Sequence, residues 1–109
     1  MKTKFMLMLL CALALLSSPV FAGENIRAQK VINVGTGWAG EGFYVGVADT
    51  TLANRCGLSR FVIRADHPML KIMVAELLLA LQTGNKVDLY FDGCKASDMN
   101  LAGVFVYKE

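Results

Sequence analysis

Charge of one sign is what this sequence has least of. Lysine and arginine total 11 against nine carboxylates, a net charge of +2, too weak a field for a nucleic-acid partner. Histidine is nearly missing: His67 stands alone. Its neighbour Asp66 adjoins it in the chain instead of facing it across a fold, so no Ser-His-Asp set can be placed. No Cys-x-x-Cys spacing occurs, which removes the usual device for a redox-active thiol. There is no linker, repeat or low-complexity tract, and the chain is too short for two ordinary domains. A hydrophobic fraction of 55% with 18% charged residues excludes a disordered chain.

What is abundant is apolar sequence at the start. Mean hydropathy is +0.47, and much of it comes from Phe5 to Leu16, an unbroken apolar run. A membrane span needs about 20 such residues, so this run is too short. Basic Lys2 and Lys4 precede it, Ser17-Ser18-Pro19 breaks it, and Ala22 ends a Val20-Phe21-Ala22 cleavage site. Residues 1–22 therefore read as a Sec-type signal peptide. Cys11 follows Leu10, which is not small, and the apolar run continues beyond it, so a lipoprotein site is not expected. Cleavage removes Lys2 and Lys4 and leaves Gly23–Glu109 neutral, as a single domain in the periplasm or outside the cell.

Two cysteines remain, Cys56 and Cys94. In an oxidising compartment an even pair in a small domain predicts a disulfide. It would close a loop of about 39 residues and stabilise by about 4 kcal/mol in the chain-entropy picture. With both thiols paired and one imidazole, no zinc set is left, and no metal is expected.

The apolar periods predict five strands and one helix. Residues 30–34, 42–49 and 58–64 are β-prone. Phe43, Val45 and Val47 alternate with Tyr44, Gly46 and Ala48, the period of a half-buried strand. The period then changes: Leu70, Met73, Val74, Leu77, Leu78 and Leu81 form one helical face. Pro68 suits the first turn, with Asp66 or His67 as cap, and Gly84 ends the helix, giving a span of 68–83. Val87, Leu89 and Phe91 face one way on the fourth strand and Asp88, Tyr90 and Asp92 the other, while residues 101–107 make the last. The order β-β-β-α-β-β predicts an α+β, mainly β chain folded as a small five-stranded OB-like barrel.

The helix has an unusually narrow polar face. Ile72, Ala75 and Leu79 lie away from its core stripe. Either they meet copies of the same helix in an oligomer or the helix packs between the sheet and a long loop.

Gly35-Thr36-Gly37-Trp38-Ala39-Gly40 matches Gly-x-Gly-x-x-Gly. A dinucleotide site needs a helix to open there, whereas Phe43 to Val47 alternates as a strand, so no cofactor is expected and the glycines read as a tight turn. Trp38, Glu41 and Tyr44 sit in or beside that turn. An aromatic face stacks on sugar C–H groups and a carboxylate accepts two hydroxyl hydrogens, which makes these three a candidate glycan contact set. The alternative is that Trp38 folds back as a lid on one end of the barrel. Asp88 and Asp92 lie four apart on one strand, about 13 Å by strand rise, too far to share a proton. Asp92-Gly93 lacks the spaced oxygens of a calcium loop. Nothing points to a catalytic residue.

From Cys56 to Val106 the order is a short apolar strand, the break Asp66-His67-Pro68, a helix with Glu76-Leu77-Leu78-Leu79-Ala80, then Thr83-Gly84-x-x-Val87, a strand, Gly93-Cys94 and a final strand. This arrangement resembles the subtilase cytotoxin B subunit and related toxin B subunits. The resemblance implies an OB-fold, export, a pentamer with helices toward its centre, sialoglycan binding and a toxin A subunit as partner. The family's sugar-binding residues have no counterparts that can be aligned here. The expectation is an exported, non-enzymatic glycan-binding protein, with a monomeric periplasmic interaction protein (an inhibitor or envelope accessory factor) as the alternative.

Overall fold

The computed structural model describes residues 23–108. The signal-peptide reading, residues 1–22, lies outside them. The described chain is mostly β: six strands in one sheet, two α-helices, one 3-10 turn at Thr50–Leu52 and one disulfide. The elements are β1 (Glu24–Gln29), β2 (Val31–Thr36), β3 (Gly42–Val47), α1 (Ala53–Cys56), β4 (Arg60–Arg64), α2 (Leu70–Thr83), β5 (Lys86–Lys95) and β6 (Asp98–Tyr107). Strand order is β1-β5-β6-β4-β3-β2. All ladders are antiparallel except β4–β6.

Three expectations about the strands, the helix count and closure of the sheet are corrected. The strands number six, because β1 precedes the first one expected. Its buried residues, Ile26 and Gln29, fall three apart instead of two. Ala28 takes φ 56° and the register with β5 shifts there, and such a bulge hides the strand period. Asp88 Oδ1 accepts a hydrogen bond from the Ala28 N–H at 2.9 Å and holds the bulge. A second, short helix, α1, follows the 3-10 turn, whose Asp49 cap accepts from the Thr51 N–H at 3.0 Å. Finally, the sheet is not closed. Its two edge strands, β1 and β2, are consecutive and separated only by Lys30, and no ladder joins them.

The apolar core lies on one face of the sheet, under α2. Phe61, Ile63, Leu77, Val87, Leu89, Met99 and Leu101 are fully buried there, joined by Val45 of β3. Helix α2 packs against β6, β2 and β5. It starts at Leu70, two residues later than expected. The His67 Nδ1 accepts from the Met69 N–H at 3.0 Å, and the Leu70 N–H donates to the His67 carbonyl at 3.1 Å. His67 therefore serves the helix start. Gly84, at φ 77°, ends the helix as its sequence predicts.

The buried stripe of α2 is also rotated. Met73, Leu77 and Ala80 are buried, with Leu70 and Val74 half-buried, whereas Leu78 and Leu81 are exposed. Ala80 fits where the helix approaches the sheet closely. The two leucines instead widen the apolar outer surface.

Val62 is buried yet stands outside that core. Strand alternation explains it: Phe61 and Ile63 point inward, so Val62 points to the opposite face. Residues paired across the ladder share a face. Tyr44 pairs with Val62 and Val62 with Asn100, so these three mark the outer face, with Arg60 and Arg64 at period two on β4.

Candidate functional site

The glycine-rich turn joins β2 to β3, so the element after it is a strand and no helix opens at its glycines. Two of those glycines have distinct physical roles. Gly40 takes φ 71°, the left-handed region. At Gly37 a Cβ would collide with the Glu41 carboxylate; the missing side chain lets Glu41 fold back under the turn.

That carboxylate is the hub of the turn. Glu41 Oε2 accepts from the Ala39 N–H at 2.9 Å, and Oε1 accepts from the Tyr44 hydroxyl at 2.9 Å. Hydrogen bonds from its own backbone N–H, then from Tyr44 and Ala39, with the charge of Lys95, hold its carboxyl below the usual range. Tyr44 moves the other way: desolvation first, then its bond to Glu41, raise its phenol.

Tyr44 leads into a chain of contacts across the outer face. The Arg60 guanidinium lies over its ring, 4.4 Å from the centroid, a cation–π arrangement. Arg60 also donates to Asp98, Nε to Oδ1 at 2.6 Å and Nη2 to Oδ2 at 3.2 Å, and that pair raises the Arg60 pKa above its ordinary value. Lys95 donates from Nζ to the Glu41 carbonyl at 3.1 Å, tying the end of β5 to the turn.

Of the predicted contact set, Glu41 and Tyr44 are therefore joined directly. Trp38 stands apart: it is fully exposed, at 105% of its reference area, and the lid alternative is corrected. A short turn with its hub carboxylate anchored below leaves the indole nothing to lie on. Behind the turn runs an apolar groove of about 520 Å³, bounded by Phe43, Ala65, Leu70 and Val74.

Ile72, Ala75 and Leu79 are all exposed on α2, with Met69, Leu78 and Leu81 beside them. Of the distant aspartates, Asp88 faces Arg27 at 3.7 Å and is used by the bulge of β1, while Asp92 is exposed on β5. Cys56 and Cys94 form the predicted disulfide, with Cα atoms 5.6 Å apart. Among the described residues no group of three or more metal-ligating side chains occurs, and no helix is long and apolar enough to cross a membrane.

Sequence reasoning missed Arg60, Asp98 and Lys95. Arg60 lies in the β-prone stretch 58–64, but its carboxylate partner lies 38 residues away and no local pattern pairs them. No family model, no curated protein and no solved structure matches the chain.

Proposed function

We propose that this protein is an exported, non-enzymatic binding module of the toxin B-subunit kind, assembled from several copies and recognising a glycan. The observation that carries the reading is the outer face of α2. Ile72 and Leu79 are 54% and 52% exposed, flanked by Met69, Leu78 and Leu81. A helix that shows a continuous apolar surface calls for a cover, and copies arranged around an axis supply one.

The topology agrees with an OB-like barrel. Taking β1 and β2 as one strand bent at the bulge and at Lys30 reduces six strands to five, and the two sheet edges then belong to one strand. Counted so, the strands fit the partly open five-stranded arrangement of this architecture. The disulfide supports an oxidising compartment. The free indole of Trp38, beside the Glu41–Tyr44 pair, offers an aromatic platform for a sugar ring. A toxin A subunit would dock on the assembled copies.

Light scattering on residues 23–109 tests the assembly. The expected mass is a multiple of the monomer, reduced to one copy by Ile72→Lys with Leu79→Lys. On a glycan array the expected hits vanish with Trp38→Ala. A monomer at micromolar concentration together with an empty array sinks the reading.

A second reading has its own observation. The apolar groove beside Trp38, about 520 Å³, suits a protein side chain better than a sugar, and both Glu41 oxygens are already engaged. A monomeric periplasmic interaction protein would use that groove and Trp38 together. It predicts a monomer whose partner is lost on Trp38→Ala or Val74→Lys.

A further inference from the structure

We propose that a second cleft, on the outer face of the sheet and separate from the Trp38 turn, binds an uncharged sugar ring through neighbouring hydroxyls. The proposal rests on the glycan reading above and gives it a different site and a ligand chemistry.

The cleft is made by ladder register. Arg64 on β4, Asp92 on β5 and Asn100 on β6 line two adjoining cavities, of about 420 Å³ and 320 Å³. Either has room for a monosaccharide. Lys95 borders the first, beside the disulfide at Cys94.

Hydrogen-bond accounting decides the ligand. The cations are engaged only in part: Arg64 Nη2 donates to Asp66 Oδ2 at 2.8 Å, and Lys95 Nζ donates to the Glu41 carbonyl at 3.1 Å, which leaves each with further N–H groups. Beside them stand unsatisfied acceptors. Asn100 Nδ2 donates to the Asp92 carbonyl at 3.1 Å, which fixes the amide, yet its Oδ1 is buried with no donor among the described residues. An orphaned oxygen of this kind is destabilising. The Asp92 carboxylate, exposed on the same rim, takes part in no hydrogen bond or ion pair among the described residues. The cleft therefore offers free acceptors beside spare cationic N–H groups, a mixed set that a polyol can meet with both the hydrogens and the oxygens of its hydroxyls.

A cationic donor would sit against Arg64 and Lys95, and an anion against Asp92. Both pay in repulsion and desolvation. A neutral O–H donor avoids both costs. Two adjacent hydroxyls can place their hydrogens on the two oxygens of Asp92. The remaining N–H groups of Arg64 can then donate to hydroxyl or ring oxygens. The anchors are stiff: the amide of Asn100 is held by β5, and β5 is stapled to α1 by the Cys56–Cys94 bridge. Little ordering remains to be done on binding.

The test uses isotope-labelled protein covering residues 23–109, titrated with methyl glycosides of neutral hexoses and, in parallel, with a hexuronic acid and N-acetylneuraminic acid. The expected result is saturable movement of the Asn100 side-chain amide signals and the Asp92 and Lys95 backbone signals with a neutral hexoside. Affinity for the acidic sugars should be at least tenfold weaker. Asp92→Ala, a change at an exposed side chain, should weaken the neutral sugar at least tenfold. Saturable shifts confined to the Trp38 turn, or binding of acidic sugars alone, would overturn the cleft while the glycan reading stands. No saturable shift with any sugar, with an empty glycan array, would overturn both.

Discussion

Arg60 meets the Asp98 carboxylate with two hydrogen bonds, at 2.6 Å and 3.2 Å, from a neighbouring strand of parallel register. The Asp98 side chain is only 10% exposed whereas that of Arg60 is 42% exposed. The pair therefore serves mainly to neutralise a carboxylate that the sheet has already desolvated. Removing Arg60 leaves that charge without a partner. We expect Arg60→Ala to destabilise by about 1–3 kcal/mol, and Asp98→Asn to cost less because the charge it leaves, on Arg60, is 42% exposed to water. Urea unfolding midpoints at neutral pH check both; equal losses would show that the charge is not what matters.

The turn carboxylate supplies a pH prediction. Glu41 titrates below its ordinary value of 4.5 in the folded protein. Its contribution is thus complete above that value and lost as the pH falls through the lower folded one. Tyr44→Phe removes one of the hydrogen bonds responsible, so the Glu41 titration should move up toward 4.5. Carbon-detected NMR titration of the side-chain carboxyl measures it in both proteins. An unmoved midpoint would mean that Tyr44 contributes nothing to the turn.

Gly42 begins β3 at φ 153°, and a Cβ there would overlap the carbonyl oxygen of Ile63 on β4. Backbone cannot retreat as a flexible side chain can. Gly42→Ala should therefore cost about 1–3 kcal/mol, by prying β3 from β4 where Gly42 pairs with Arg64. Gly35→Ala is the control: its Cβ meets nothing and its backbone needs no left-handed angle, so its effect should stay within about 0.5 kcal/mol. Thermal melts of the two variants, side by side, separate backbone strain from a general intolerance of the turn.

Much of the fold was legible because local periods dominate it. The alternation at Phe43, Val45 and Val47 gave β3, and that at Val87, Leu89 and Phe91 gave β5. Gly84 marked the end of α2. The hidden parts share one cause, in that a local rule was broken by a distant contact. Strand β1 hid behind a bulge braced by Asp88, 60 residues along the chain. Leu78 and Leu81 continued a formally perfect stripe, but the sheet took Ala80 instead, because a small residue lets the helix sit lower. At the candidate site, Glu41 and Tyr44 lay close enough in sequence to be paired by inspection. Arg60 with Asp98, and Arg64 with Asp92 and Asn100, did not.

The sequence by itself determined the mainly β class, the approximate places of β2 to β6 and of α2, and the Cys56–Cys94 bridge. Each follows from side-chain period, helix-ending glycine chemistry or the count of cysteines. The tertiary structure alone decided which side of α2 is buried, that Trp38 stands free, and that Asn100 keeps an unpartnered oxygen beside Asp92. Those outcomes depend on strand register, and register is set by how the whole sheet buries its apolar face.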